Sequence, residues 1–313
     1  VIGSRVLAAL VALVALVALL AVTSPARADD VLTASAMADD PMASIFVGPS
    51  GQLWHADGQG AWVRDTQGGV AADVHGATLA DVLVVVGRSA PPYRWDSASW
   101  QALRLGERGR TIAGTGPRAA VAVGGQIFVW TAPSWKRVGK VTGPVAALWA
   151  ASDSKVFVAA GGKVWRLARG RFIEAGTADV LGFAGSAPHA ITRDGQLYDG
   201  ATRKTTPILL GGQPIVPLAI AVAPGGPPWV LGTVGQRPAL ARKKGSGWEA
   251  VPAPELVDGD PPIGFGVDAA GVAVVATRSG AIWLRATDGT WSAGRRDERP
   301  APAHPGPGPA RVP

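Results

Sequence analysis

PVAALWAASDSKVFVAAGGKVWRLARGRFIEAG, residues 144–176, holds four short apolar runs separated by three turn signals. Pro144 to Ala151 predicts one strand, Lys155 to Ala160 a second, Lys163 to Ala168 a third and Arg171 to Ala175 a fourth. Ser152-Asp153-Ser154, Gly161-Gly162 and Arg169-Gly170 supply the residues that tight turns require. Trp165 closes the third run and Phe172 opens the fourth. That pairing of aromatics across the last turn recurs along the chain. Trp54 goes with Trp62, Trp95 with Trp100, Trp130 with Trp135 and Trp283 with Trp291; two copies have decayed, to Tyr198 with Lys204 and to Leu240 with Trp248. The second members fall at 62, 100, 135, 172, 204, 248 and 291. Their mean spacing of about 38 residues is close to the length of a four-stranded propeller blade. One such unit cannot bury its faces alone, whereas a closed ring of them can. The expected fold is all-β, a seven-bladed β-propeller of four-stranded antiparallel blades over residues 29–294.

The last unit fits the same frame, with strands at Ile263–Asp268, Val272–Thr277, Ala281–Ala286 and Thr290–Ala293. The first unit needs an inner strand upstream, and Val31–Met37 can supply it. All four strands of each blade then come from consecutive sequence, and closure needs no swapped strand. The repeated aromatics are read as packing residues that fill the wedge between neighbouring blades. Trp149 and Trp229 fall outside the two aromatic positions, which makes them candidates for ligand contact.

Residues 1–28 stand apart from the repeat. Arg5 precedes an unbroken apolar run from Val6 to Val22, followed by Pro25 and the small-residue site Ala26-Arg27-Ala28. Those are the parts of a secretory signal peptide. The run is short for a spanning helix, which needs about 20 residues. The mature chain is expected to begin at Asp29, exported to the periplasm or the extracellular space, with no membrane span after cleavage. Residues 295–313 are rich in Pro and Arg and show no strand pattern, so they are expected to form a disordered tail.

Composition excludes several function classes. The chain has no cysteine, which removes thiol catalysis and thiolate metal sites. The formal net charge is +7, and loss of Arg5 and Arg27 with the leader leaves +5. The tail holds a further +2, so the propeller carries about +3 over its whole length, too thin for a phosphate-tracking stripe. No nucleic-acid partner is expected.

Three repeat groups are similar to parts of the chain. Trp135-Lys136-Arg137-Val138-Gly139, then Val145 to Ala150, then Gly162-Lys163-Val164-Trp165 are similar in order to tectonin repeats. Val123-Gly124-Gly125 before Trp130 and Trp135 resembles the double-glycine strand end of kelch repeats. Thr287-Asp288-Gly289-Thr290-Trp291 resembles the Asp-box of BNR/sialidase-like repeats, one residue short of its spacing. The WD dipeptide occurs once, at Trp95-Asp96 in the second unit, and in none of the other six. The resemblance implies a secreted bacterial seven-bladed propeller and leaves the three groups open.

Enzyme chemistry finds few residues. A sialidase nucleophile would be Tyr93 or Tyr198, and Tyr198 occupies a packing position. Paired glycosidase carboxylates find only Glu174 and Glu249 on outer strands and Glu107 and Glu255 in connections. Asp73 and His75 alternate on an inner strand and can point into the central channel together. No metal or cofactor is expected. The turns between second and third strands carry Arg88, Arg193 and Arg278, on the face of the blade-connecting loops, where propeller ligands commonly bind. Arginine grips carboxylates bidentately. The reading is therefore a monomeric binding or scaffold module for an acidic glycan or an envelope protein. The alternative is a propeller-type hydrolase or lyase with its site over the central channel.

Overall fold

Strands dominate because turn glycines recur every few residues and no stretch keeps a helical period; among the described residues there is no helix. The structure is a computed structural model. It describes residues 105, 114–131, 134–223, 225–257 and 259–294 with their side chains, and the backbone of the strands named below that lie in 34–113 and 295–300. Residues 1–28, the expected leader, and residues 301–313 lie outside the described residues.

The first sheet holds β1 (Ala34–Ala36), β2 (Ile45–Val47), β3 (Leu53–Ala56) and β4 (Ala61–Asp65). The second holds β5 (Ala71–Thr78), β6 (Asp81–Val86), β7 (Tyr93–Trp95) and β8 (Trp100–Ala102). The third holds β9 (Thr111–Ala113), β10 (Ala120–Val123), β11 (Gln126–Thr131) and β12 (Ser134–Lys140). The fourth holds β13 (Val145–Ala150), β14 (Val156–Ala160), β15 (Lys163–Ala168) and β16 (Arg171–Thr177). The fifth holds β17 (Val180–Ala184), β18 (His189–Thr192), β19 (Gln196–Asp199) and β20 (Lys204–Pro207). A hairpin of β21 (Leu209–Leu210) and β22 (Gln213–Pro214) then leads to the sixth sheet. That sheet holds β23 (Val216–Val222), β24 (Pro228–Val234), β25 (Arg237–Lys244) and β26 (Gly247–Val251). The seventh holds β27 (Pro262–Val267), β28 (Ala273–Thr277), β29 (Ile282–Arg285) and β30 (Trp291–Ala293). Each sheet uses consecutive strands in antiparallel order, and the fourth and seventh match the sequence frame to within two residues at each strand end.

The tail departs from its expectation. β31 (Arg295–Pro300) pairs in parallel with β4 as a fifth strand of the first sheet, with Arg295 opposite Ala61 and Pro300 opposite Arg64. Its sequence, Arg-Arg-Asp-Glu-Arg-Pro, lacks apolar alternation, and the pairing rests on backbone groups offered by the edge of β4. The first strands touch in sequence order, β1 to β5, β5 to β9, β9 to β13, β13 to β17, β17 to β23 and β23 to β27, and β27 returns to β1.

Burial follows from that arrangement. The second strands are covered on both faces: every residue of β10 (AVAV), β14 (VFVAA) and β28 (AVVAT) is buried. Their near-continuous apolar character is what two-sided burial demands. Outer strands face water, and β20 (KTTP) is exposed throughout. The core is therefore divided into layers between neighbouring sheets. One layer joins Ile127 and Val129 to Leu148 and Val158, with Trp165 and Phe172 packed against it. The next joins Trp149 and Phe157 to Phe183 and Tyr198. A third joins Ile191 and Leu197 to Ile215 and Val230, with Trp248 against it. A fourth joins Trp229 and Leu240 to Phe265 and Val275, with Trp283 and Trp291 against it. Among the described residues Trp165, Phe172, Tyr198, Trp248, Trp283 and Trp291 thus sit on the layers between sheets, and the decayed Leu240 still fills its position at 1% exposure.

Candidate binding face

In every sheet the inner strand enters from the face that carries the sheet-to-sheet connections, and the turn between second and third strands returns to that face. The opposite face carries the first-to-second and third-to-fourth turns. The two ends of the central axis differ sharply.

At the opposite face three neighbouring sheets are tied together. The turn after β9 lies along the channel side of β13: the Thr115 N–H donates to the Leu148 carbonyl at 2.8 Å, and the Ala150 N–H donates back to Thr115 at 3.0 Å. The Thr115 hydroxyl reaches past β13 to the Phe183 carbonyl on β17, at 3.0 Å. Gly116 permits this approach. Its φ is +101°, and a Cβ there would stand 2.7 Å from the Trp149 indole nitrogen. That nitrogen donates to the Gly185 carbonyl at 2.7 Å. Third, fourth and fifth sheets are stitched together at this end.

At the connection face the inner strands carry a repeated irregularity. Pairing slips between Ala71 and Asp73, Val145 and Ala147, Val180 and Gly182, Pro217 and Ala219, and Pro262 and Gly264. Each slip is a β-bulge near the start of the strand, with Ala72, Ala146, Leu181, Leu218 and Ile263 as the extra residues. Bulges belong at unpaired sheet edges, where they bend the strand and re-aim a side chain. Here that edge borders the central axis.

The same face gathers the exposed apolar surface. Among the described residues, the exposed large hydrophobic side chains are Leu209 at 38%, Val216 at 55%, Leu218 at 40% and Val257 at 72%. Leu209 lies in the connection entering the sixth sheet, Val216 and Leu218 at the start of β23, and Val257 in the connection leaving that sheet. Single exposed apolar residues are ordinary, and these four all belong to segments that border the sixth sheet.

The sequence-selected arginines are held by the turns that carry them. Thr192-Arg193-Asp194-Gly195 and Thr277-Arg278-Ser279-Gly280 are matching turns, each opened by a buried threonine at 1% exposure. Arg193 donates its backbone N–H to the Asp179 carbonyl at 2.8 Å, and Arg278 its own to Pro261 at 3.0 Å. In the second turn Asp260 accepts the Thr277 hydroxyl, the Ser279 hydroxyl and the Ser279 N–H. The Arg193 guanidinium is engaged by Asp179 at 2.8 Å. Beside it, the Thr192 hydroxyl holds the Asp194 carboxyl below the usual carboxylate range. Asp179, Thr192, Arg193 and Asp194, with Gln196 and Thr205, line an open groove of about 430 Å³ on the fifth sheet. Arg193 and Arg278 therefore share a face on the fifth and seventh sheets, with the sixth between them.

The other sequence-selected residues fall elsewhere. Arg88 lies outside the described residues. Asp73 and His75 lie on β5, opposite Val85 and Leu83, and their side chains are outside the described residues. Trp149, taken as a ligand contact, is corrected: none of it is exposed, and it packs between the fourth and fifth sheets. Trp229 is interior too, 4% exposed, with the guanidinium carbons of Arg242 and Arg285 at 5.3 and 5.5 Å from its ring. Among the described residues no group of three or more His, Asp or Glu could hold a metal ion. Among them, too, no helix is long and apolar enough to cross a membrane. The apolar patch was missed, although Ile208-Leu209-Leu210 and Ile215-Val216-Pro217-Leu218 place apolar residues where a solvated connection would be polar.

No family model matches the chain, and no curated protein does. Solved structures do. The chain is similar to YCF48 bound to D1 peptide, with 13% identity, a TM-score of 0.57, and 81% of this chain and 92% of that one covered. It is similar to YCF48 from Cyanidioschyzon merolae at 13% identity and a TM-score of 0.57, covering 83% and 96%. The WD40 β-propeller domain of Doa1 matches at 14% identity and the same TM-score, covering 84% and 93%. At such identities the likeness concerns the fold. The chain is a β-propeller.

Proposed function

We propose that this chain is an exported seven-bladed propeller that binds an extended, apolar stretch of a protein partner on its connection face, beside the sixth blade. The observation that carries the reading is the gathering of Leu209, Val216, Leu218 and Val257 on that one face. Seven sheets whose inner strands touch in a cycle support the ring. The leader over residues 1–28 supports export to the periplasm or beyond. A peptide ligand is in keeping with the similar fold of YCF48, which has been solved with a D1 peptide. An acidic glycan fits less well, because Asp179 already engages the Arg193 guanidinium and the Asp194 carboxylate stands beside it.

Burying two of the exposed aliphatic side chains contributes roughly 3–6 kcal/mol before the entropy of association is subtracted. The test is selection from a displayed library of random linear peptides on the chain starting at Asp29. Selected peptides are expected to be enriched in Leu, Ile, Val and aromatic residues. Enrichment in acidic residues without apolar ones would overturn the reading in favour of an anionic ligand.

A further inference from the structure

The positive charge that runs thinly along the sequence is sorted by the fold onto one face. Opposite the sheet-to-sheet connections, exposed cations gather at the turns of three neighbouring sheets. Arg118 lies in the first-to-second turn of the third sheet, and its N–H donates to the Ala150 carbonyl at 3.0 Å. That bond brings it beside the corresponding turn of the fourth sheet, which ends on Lys155. Arg169 and Arg171 stand at the third-to-fourth turn of the fourth sheet, and Arg203 and Lys204 at that of the fifth. Among the described residues none of these cations is in an ion pair.

The carboxylates of the same face are already committed. Asp153 is held by Lys136 at 2.6 Å, and Glu249 by Arg242 and Lys244. Asp199 accepts the Ala201 N–H at 2.8 Å and the Thr202 hydroxyl at 2.9 Å. Asp268 accepts the Val272 N–H and Asp288 the Thr290 N–H, each closing its own turn. On the connection face the signs are mixed: exposed Lys140, Arg193, Arg237 and Arg278 stand among exposed Asp179, Asp194 and Glu255.

The unpaired cations belong to turns at one end of adjacent sheets, so a plane of negative charge meets them together. A single-stranded nucleic acid would call for exposed aromatic platforms, and among the described residues the exposed large hydrophobic side chains all lie on the connection face. The half-buried Trp130 and Trp135 rings, 5.6 Å apart across β11 and β12, lie near the basic end instead. Indoles with one wet edge suit the headgroup level of a bilayer. We propose that this face docks on an anionic lipid bilayer and holds the connection face toward solution. Each basic residue brought near such a surface strengthens attachment about fivefold, over a range of about 10 Å at moderate salt. The contact is electrostatic and needs no segment inside the bilayer.

The test is co-sedimentation of the chain starting at Asp29 with vesicles of phosphatidylcholine, alone or with about one-third phosphatidylglycerol. Binding is expected to be at least tenfold tighter to the anionic vesicles at about 0.05 M salt, and to be lost at about 1 M, where screening shortens the range to about 3 Å. Arg169→Glu with Arg203→Glu is expected to weaken that binding at least tenfold. Lys140→Glu with Arg237→Glu makes the same change in net charge on the connection face and is expected to leave it within about twofold. Melting curves check that both variants fold, and the lipid and salt comparison on the parent chain decides without them. Equal binding to the two kinds of vesicle, or equal losses in the two variants, would overturn the proposal. Tighter binding to a duplex DNA oligonucleotide than to anionic vesicles at matched phosphate concentration would also overturn it, in favour of nucleic acid. Peptide selection on the connection face stands or falls separately from all of these outcomes.

Discussion

Trp149 shows how a residue can be legible in kind and misread in role. The sequence places a large aromatic on an inner strand outside the repeated positions, and a ligand contact follows naturally. The carbonyl that fixes its role belongs to Gly185, in the first-to-second turn of the next sheet, and nothing in local sequence announces that reach. Trp149→Ala is expected to lower stability by about 3–5 kcal/mol, as for other fully buried large aromatics. Trp149→Phe keeps much of the packing but leaves the Gly185 carbonyl without its donor, at a loss of about 1–3 kcal/mol. Urea unfolding of both variants checks the order. His189 carries a pH signal. Burial pushes its imidazole below the ordinary value of 6.5, against the pull of the nearby Asp199 carboxylate, and its Nδ1 is buried without a hydrogen-bond partner. Between the depressed native value and 6.5 the unfolded chain takes up a proton that the native chain refuses, so stability rises with pH across that window. Melting temperature is expected to fall as pH drops below about 6.5, and His189→Gln is expected to flatten that fall. The lowered carboxyls of Asp194 and Glu249 act in a separate, more acidic window.

At the scale of the element, the strands of the fourth and seventh sheets were readable because their turns are chemically explicit. Gly161, Gly162 and Gly170 all take positive φ in the turns that the sequence marks. β31 was not readable, since its charged sequence becomes a strand through the edge it meets. The bulges were not readable either, because one inserted residue changes neither composition nor alternation enough to notice. The apolar residues of the binding face were visible as letters, yet their exposure depends on where the connections around the sixth sheet are laid down. Removing one whole element set tests the layered core. Deletion of residues 144–176 takes away the side chains that pair with Ile127 and Val129 on one side and with Phe183 and Tyr198 on the other. Both neighbouring layers lose their partner at once, so the product is expected to show no cooperative unfolding transition. A soluble deletion protein with a near-native transition would point to an open array of independent sheets.

For the whole molecule, the two faces are unequal. At one end Thr115, Gly116 and Trp149 tie the third, fourth and fifth sheets together, and the other end presents bulged inner strands and exposed aliphatic side chains. A scaffold built by repetition would present similar faces in every blade, and the departures from repetition mark the proposed binding surface: the hairpin of β21 and β22, Leu218 at a bulge, and Val257 in the longer connection after β26. Affinity for one selected peptide therefore has to depend on which face is altered. Titration of a labelled peptide against the parent chain, Leu218→Asp and Arg169→Asp is the most direct measurement. Leu218→Asp is expected to weaken binding at least tenfold, while Arg169→Asp, on the opposite face, leaves it unchanged. Binding that survives Leu218→Asp and is lost in Arg169→Asp would contradict the account.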